Sequence, residues 1–362
     1  ALYMGLLLSI YLNRFTPKNI SPLKPIYSRL ILGLSLVLLI PGIIIHILSY
    51  QSLTQQGRLL YEFNNGDFKL TLAELDQIED DFPNLTETAM PIKAMKARYF
   101  YLNGLKEKAH KYALLGSKDN PQIFFGENLK AQFYMQEQKL DSAYYYSKLA
   151  FYNLPNNMPH YNVYMNSLVY KKDVEEINKT FNYVLSLSGN TKIIWTIYLS
   201  SLARTTSLGD SFSMKKGSEG FALYPEDNDI FALYRMMTYG QSRCVQAAEL
   251  SKKGMELYNN LNFEEAFELL NQAFDLDPLE YTYAIQTGFS LYENSKYEQA
   301  IPFFKIALNS KRREPKEKAM RYLALSLYKM GLQKEACASF SKLLNSYPKR
   351  MYQQEFNKYC SN

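Results

Sequence analysis

The sequence has few of the residues that usually carry chemistry. It contains three histidines, three cysteines and one tryptophan among 362 residues. Cys244, Cys337 and Cys360 lie far apart without the paired spacing of a metal site, and we interpret them as buried or idle thiols rather than as a disulfide framework. The histidines have no spacing that links them to a nucleophile or to metal-ligating carboxylates. We therefore predict no catalytic residue, cofactor or metal site in this chain, which leaves open whether the whole protein is an enzyme.

Sequence motifs of the common enzyme classes are also missing. The chain has no glycine-rich phosphate loop, no H-E-x-x-H and no G-x-S-x-G. The net charge of +6 is small for this length and does not favour nucleic-acid binding. Consecutive acids Glu79, Asp80 and Asp81 point in different directions, so we interpret them as a solvated helix end. No stretch alternates polar and apolar residues for long enough to predict a sheet.

A single long apolar run is present near the N-terminus, at residues 30–48. Its length just spans a bilayer core of roughly 30 Å. Pro41 and Gly42 would kink a helix there, which lipid tolerates. A signal peptide is the alternative, but the run is too long for one and lacks a small-residue cleavage site. We predict a transmembrane helix at 30–48. Residues 1–12 are apolar but too short to span, and predict either the end of a second transmembrane helix or a short hydrophobic N-terminus.

Charges on the two sides of this run differ. The loop 13–29 carries Arg14, Lys18, Lys24 and Arg29 and no acidic residue. The charged residues of 49–81, in contrast, are mostly acidic. Short loops rich in lysine and arginine stay in the cytoplasm. We therefore expect the loop 13–29 to be cytoplasmic. The part of the chain that follows the transmembrane helix would then lie outside, in the periplasm of a bacterium, with the protein anchored in the inner membrane.

The C-terminal third of the chain repeats one pattern three times. Small residues recur at two fixed positions, namely Gly254, Gly288 and Ala324, and then Ala266, Ala300 and Ala336. The copies are 34 and 36 residues apart, and Pro278 and Pro348 close the first and third. This pattern resembles the tetratricopeptide repeat (TPR) family. The resemblance implies paired antiparallel helices that cross closely at the small residues and stack into a solenoid.

Weaker copies of the pattern precede these three. Gly66, Gly104 and Ala143 fit the turn and close-contact positions of further repeats, but the register is lost after about residue 190. We predict an all-α chain in which the N-terminal transmembrane helix is followed by a TPR-type α-solenoid. Its parts are a membrane segment at 1–50, degenerate TPR-like repeats at 51–190, irregular helical hairpins at 191–245, and TPR repeats with a C-terminal capping helix at 246–362.

The resemblance also implies where a ligand would bind. In TPR arrays the first helices of the repeats line a groove that holds protein partners. The residues in phase with that groove are Met255, Tyr258, Ile285, Phe289, Tyr292, Arg321, Leu325, Tyr328 and Lys329. Tyr258, Tyr292 and Tyr328 occupy the same place in three successive repeats and would form an aromatic ladder. The alternative is that these tyrosines pack between neighbouring helices.

Two functions fit this pattern. The first is a membrane-anchored, extracytoplasmic TPR protein that acts as a scaffold for protein partners and binds no nucleic acid. The second rests on layout alone, because the chain looks like the C-terminal TPR tail of a polytopic O-antigen ligase or polymerase-type membrane enzyme. In that alternative the glycan-assembly chemistry would reside upstream of this fragment.

Overall fold

The structure is a computed structural model that describes residues 25–360, with the side chains of 33, 37 and 39–360. Residues 1–12 and most of the basic loop 13–29 therefore lie outside the described residues, and so do the predictions made for them. The chain divides into two compact units, Ala1–Leu129 and Lys130–Asn362.

The described part of the first unit begins with a long helix. Helix α1 covers Pro25–Asn65 and includes the apolar run, whose described side chains from Val37 to Leu48 are largely exposed. None of the helices that the structure describes combines the length and apolar character needed to cross a membrane. The unit continues with α2 (Leu72–Gln77), α3 (Ile92–Leu102), α4 (Lys106–Asp119) and the first residues of α5 (Phe125–Gln136).

The turn after α1 is held by a buried carboxylate. Gly66 has a φ of 72° and ends the helix, as the sequence predicted for this turn. The backbone N–H groups of Lys69 and Leu70 donate to Glu62 Oε2 at 2.6 and 2.8 Å, and the Tyr99 hydroxyl lies 3.3 Å from the same oxygen. These bonds satisfy a carboxylate that would otherwise be costly to bury. They fix the chain against the core around Leu75.

The second unit is also helical throughout its described residues. After the end of α5, its helices are α6 (Leu140–Asn153), α7 (Met158–Lys171), α8 (Val174–Ser188), α9 (Lys192–Thr205), α10 (Ser211–Leu223), α11 (Asn228–Tyr239), α12 (Gln241–Asn259), α13 (Phe263–Leu276), α14 (Tyr281–Glu293), α15 (Tyr297–Ala307), α16 (Arg313–Lys329), α17 (Gln333–Ser346) and α18 (Arg350–Cys360).

The turns between paired helices repeat one backbone conformation. A positive φ occurs at Gln138 and Lys172, 34 residues apart, and again at Leu261, Ser295 and Gly331, spaced by 34 and 36 residues. Only the last of these five is the glycine that favours this conformation. The repeat is therefore more regular in the backbone than in the sequence.

Close helix crossings occur where the small residues predicted them. A Cβ atom on Gly254 would lie 2.7 Å from Leu270, and one on Gly288 would lie 2.6 Å from Phe304. Ala266, Ala300 and Ala336, at the crossings of the three last hairpins, are completely buried. The predicted all-α, TPR-like solenoid is confirmed.

Between the two regular stretches lies an odd helix. Helices α9 and α10 form a hairpin in which Gly220 lies against the Trp195 ring. Helix α11 follows as a single helix that has no partner helix to complete a hairpin. Arg235 on α11, whose side chain is 14% exposed, forms ion pairs with Asp277 and Glu280, at 2.5 and 2.9 Å, beyond the end of α13. The extra helix explains why the sequence register is lost in this region.

The interpretation of all three cysteines as unpaired was wrong. Cys337 near the start of α17 and Cys360 at the end of α18 form a disulfide, with their Cα atoms 5.5 Å apart. Helix α18 runs back along α17 after Pro348, so residues separated by 23 positions meet. Sequence spacing could not show this contact because it depends on how the last helix folds back. Cys244 is a free thiol.

Candidate functional site

The first helices of the last three hairpins, α12, α14 and α16, border two adjoining cavities. The first cavity, of about 190 Å³, is lined by Met255, Ile285 and Phe289 together with polar residues of α14 and α16. The second, of about 400 Å³, continues from Phe289 to Arg321 and Tyr322. Both cavities include Phe289, Glu314 and Lys318, so we treat them as one surface and call it the first-helix groove.

Apolar side chains form the floor of the groove. The Phe289 and Tyr322 rings contact each other with centroids 4.2 Å apart, which joins α14 to α16. Ile285 is buried beside them, and Met255 and Phe289 are half-buried. At the other end the Ser251 hydroxyl donates to Gln286 Oε1 at 2.8 Å and ties α12 to α14. A floor held on three helices is positioned by packing rather than by loops, so it is preorganised for binding.

The charges around the groove are paired. The Lys318 ammonium lies 2.7 Å from the Glu314 carboxylate. The Arg321 guanidinium donates through Nε and Nη2 to the Glu355 carboxylate of α18, and the shortest N–O distance is 2.6 Å. The hydrogen bonds to Glu355 raise the pKa of Arg321. The sequence predicted Arg321 as a groove residue, and in the structure its charge is neutralised by Glu355.

Glu317 makes a third pair at the edge of the groove. Burial alone would raise the pKa of this carboxyl, but Lys349 and the Tyr352 hydroxyl donate hydrogen bonds to it, and the net effect lowers the pKa. The carboxylate therefore stays ionised at neutral pH. These three pairs leave the edge of the groove close to neutral, although it is rich in charged residues.

The tyrosines of the predicted ladder lie in ring contacts with neighbouring residues. The ring of Tyr258 packs edge-on against Phe263, and that of Tyr292 against Tyr297 and Tyr322, at centroid distances from 5.3 to 5.5 Å. Desolvation raises the pKa of Tyr258 and Tyr292 to about 12, so both hydroxyls stay protonated.

The remaining predicted residues lie near the C-terminal helix. Tyr328 contacts Tyr359 of α18 with ring centroids 4.5 Å apart. Leu325 is buried against Phe340, and Lys329 is exposed. The structure thus gathers Met255, Ile285, Phe289 and Arg321 around the cavities of the groove, while Tyr258, Tyr292, Tyr328, Leu325 and Lys329 are not among the residues that line them.

Sequence reasoning missed Tyr322 and Tyr352, which complete the second cavity. The positions chosen by phase included Leu325 on α16, whereas the ring that meets Phe289 is Tyr322, three residues earlier. The spacing of 36 residues between the second and third copies holds here, because Lys318, Arg321 and Tyr322 of the second cavity follow Thr282, Ile285 and Gln286 of the first cavity at that spacing. The position of Gln286, in phase with Tyr322, was the available signal.

Two other polar groups serve the fold. The carboxylate oxygens of Glu79, Asp80 and Asp81 lie within 4.8 Å of one another, but Asp80 pairs with Lys96 at 2.6 Å and Asp81 with Lys93 at 2.9 Å. His160 lies in the first turn of α7. It is buried there, and desolvation lowers its pKa to about 4.

One segment near the C-terminus matches a known family. Residues 318–350 match the family model described as Tetratricopeptide repeat. This segment is therefore similar to a tetratricopeptide repeat. It contains most of α16, all of α17 and the disulfide residue Cys337. No curated protein is significantly similar to the chain.

Solved TPR structures are similar only at low scores. A thermophilic TPR protein of Thermus thermophilus is 15% identical, with a TM-score of 0.26, over 75% of this chain and 98% of that one. A TPR protein from Parabacteroides merdae is 10% identical, with a TM-score of 0.34, over 75% and 98%. The P58(IPK) TPR domain is 11% identical, with a TM-score of 0.35, over 85% and 87%.

Proposed function

We propose that this TPR protein is an interaction scaffold whose first-helix groove binds a segment of a partner protein. The observation that carries the proposal is the apolar floor of Met255, Ile285, Phe289 and Tyr322, which opens between three first helices. No catalytic constellation accompanies it among the described residues. Such a floor suits side chains that insert into pockets and exclude water.

The partner that fits best is an extended segment with two bulky apolar side chains. Two adjoining cavities that share Phe289 would take one side chain each. Because Lys318 and Arg321 already hold carboxylates, the groove does not require an acidic ligand. Rim charges of this kind would influence the rate of association more than the affinity.

Site-specific crosslinking tests the groove. A photo-crosslinking amino acid placed at Lys318 lies at the groove, whereas the same amino acid at Lys252 lies on an exposed face of α12 that does not line it. We expect crosslinks to one partner from position 318 only. Phe289→Ala should then weaken binding of that partner, or of its crosslinked segment as a peptide, by about 2 kcal/mol or more. Equal crosslinking from both positions, or unchanged binding by Phe289→Ala, would exclude the groove.

We further propose that the chain is anchored in the bacterial inner membrane with its repeats in the periplasm. Three features support this: the exposed apolar side chains of α1 between Val37 and Leu48, the basic loop 13–29, and the disulfide between Cys337 and Cys360. Disulfides persist in oxidising compartments and are rare in the cytosol.

Reporter fusions test this topology. Alkaline phosphatase fused after Asn362 should be active, and a fluorescent protein that folds only in the cytoplasm should stay dark at the same position. A bright fluorescent fusion with inactive phosphatase would overturn the orientation. The alternative, a tail of an O-antigen ligase or polymerase-type enzyme, shares this topology, and the sequence encoded upstream of residue 1 distinguishes the two.

A further inference from the structure

A third cavity lies on the opposite face of α16 from the groove. It has a volume of about 490 Å³ and is bordered by α16, by α17 and by Leu308 at the end of α15. Lys316, Met320 and Leu323 line it from α16, whereas the groove uses residues 314, 317, 318, 321 and 322 of the same helix. At 100° per residue these two sets face opposite ways. The cavity is therefore separate from the proposed protein-binding site.

The floor of this cavity is apolar. Leu323 and Tyr347 are both 9% exposed, and Met320 and Leu308 are half-buried beside them. A volume of this size lies within the range of small-molecule sites, which are typically apolar with a few polar groups at the edge. An apolar ligand body would cover surface that is otherwise in contact with water.

The polar edge carries charge of one sign. Lys316 and Lys342 line the cavity, and none of its described lining residues is acidic. Neither lysine has a carboxylate partner among the described residues. The groove is different, because its cations Lys318 and Arg321 are paired.

Two hydroxyl groups complete the edge. Ser339 and Ser346 lie on the same face of α17 as Lys342, at spacings of three and four residues. Serine hydroxyls can donate to an anion while remaining compatible with an apolar neighbour. The edge thus offers two ammonium groups and two hydroxyls above an apolar floor.

We propose that this cavity binds a small amphipathic anion, with the apolar body on Leu308, Met320 and Leu323 and the anionic head between Lys316 and Lys342. A carboxylate or a phosphate ester on a compact hydrocarbon body has this chemistry. It could come from a free acid in solution or from an anionic lipid. The assignment does not depend on the protein-binding groove, since the two sites use different faces of α16.

Calorimetric titration of the full chain tests the site. Octanoate should bind with one-site stoichiometry, whereas octanol, which lacks the charge, and acetate, which lacks the hydrocarbon, should bind at least about tenfold more weakly. The double variant Lys316→Gln/Lys342→Gln should lose octanoate binding by a similar factor. The matched control Lys252→Gln/Lys334→Gln removes two exposed lysines away from the cavity and should bind as the unaltered protein does.

A second arm identifies the source of the anion. Vesicles of phosphatidylglycerol and phosphatidylcholine are titrated with the unaltered protein and with both double variants. Weaker vesicle binding by the Lys316/Lys342 variant than by the control identifies a lipid headgroup, while a loss confined to octanoate identifies a free acid. Circular dichroism of each variant verifies folding. Equal binding of octanol and octanoate, or octanoate and vesicle binding that both survive in the Lys316/Lys342 variant, would overturn the proposal.

Discussion

Gly288 lies so close to Phe304 that a Cβ atom on the glycine would be 2.6 Å from the phenylalanine ring. The contact joins the two helices of the middle TPR-like hairpin, α14 and α15, at a point where Phe304 is completely buried. The Phe304 ring has little room to move away, because it packs in one core cluster with Leu323 and Leu327 of the next hairpin. The helix spacing of the hairpin is therefore set by the absence of a side chain at this position.

Gly288→Ala should destabilise the second unit. The added methyl group forces the helices apart or the ring off its rotamer, which costs about 1–3 kcal/mol. Gly57→Ala is the matched control, because Gly57 is also helical and has nothing within 4 Å of its Cβ position. The control should be neutral or slightly stabilising, by up to about 1 kcal/mol. Thermal and denaturant unfolding measure both, and equal effects would mean that the crossing is not tight.

Tyr292→Ala should destabilise the fold. The Tyr292 ring contacts Tyr297 of its own hairpin and Tyr322 of the next, so truncation removes an interhelical contact that costs about 1–3 kcal/mol. Tyr170→Ala, at a tyrosine that is 44% exposed, should change the free energy of unfolding by no more than about 0.5 kcal/mol. If Tyr292→Ala left unfolding unchanged but removed partner binding, the tyrosine ladder would be a binding surface after all.

The disulfide predicts how many thiols react. Alkylation of the unfolded, unreduced protein should label Cys244 alone, and prior reduction should allow three labels, as intact mass shows. Cys360→Ser removes the link that closes a loop across α17 and α18 and should lower the free energy of unfolding by about 2–4 kcal/mol. Cys244→Ser keeps the link and serves as the control. Three labels without reduction would contradict the pairing.

Glu74 predicts an acid-sensitive turn in the first unit. The Thr71 backbone and hydroxyl, and then Arg58, donate hydrogen bonds that lower the pKa of Glu74 to about 2. Because the folded pKa lies below the unfolded value of about 4.3, the stabilisation is complete above about pH 4.3 and is lost as the pH falls towards 2. Side-chain NMR should show a Glu74 midpoint near 2, and Thr71→Ala should raise it. A midpoint at the unfolded value in the unaltered protein would refute this assignment.

Part of the fold could be predicted because small residues carry the signal. Gly254, Gly288 and Ala300 occur where helices cross, and a crossing admits little else, so the sequence reports the packing directly. The turn at Gly66 was predictable for a similar reason, since its φ of 72° favours glycine. These are local requirements, and each is visible in a short stretch of sequence.

The remaining features depend on contacts between distant residues. Arg321 is neutralised by Glu355, 34 residues later, and Cys337 meets Cys360 only because α18 folds back. Helix α11 stands alone between helical hairpins, so it shifts the register of the repeats by a length that differs from the repeat period. The groove was predicted in outline by Met255 and Phe289, whereas its second cavity also uses Lys349, Met351 and Tyr352 from the end of the chain, which the repeat period does not place.

The left-handed turn residues bear on how well the repeats can be recognised from sequence. A side chain in this conformation costs roughly 1–2 kcal/mol, while a glycine loses about 0.5–1 kcal/mol more backbone freedom on folding. The two costs partly offset each other, so the turns at Gln138, Lys172, Leu261 and Ser295 keep this conformation without glycine. Of the five turns spaced by 34 or 36 residues, the one with glycine, at Gly331, lies in the segment 318–350 that matches the TPR model. The architecture therefore specifies the backbone of these turns more strictly than it specifies their residues.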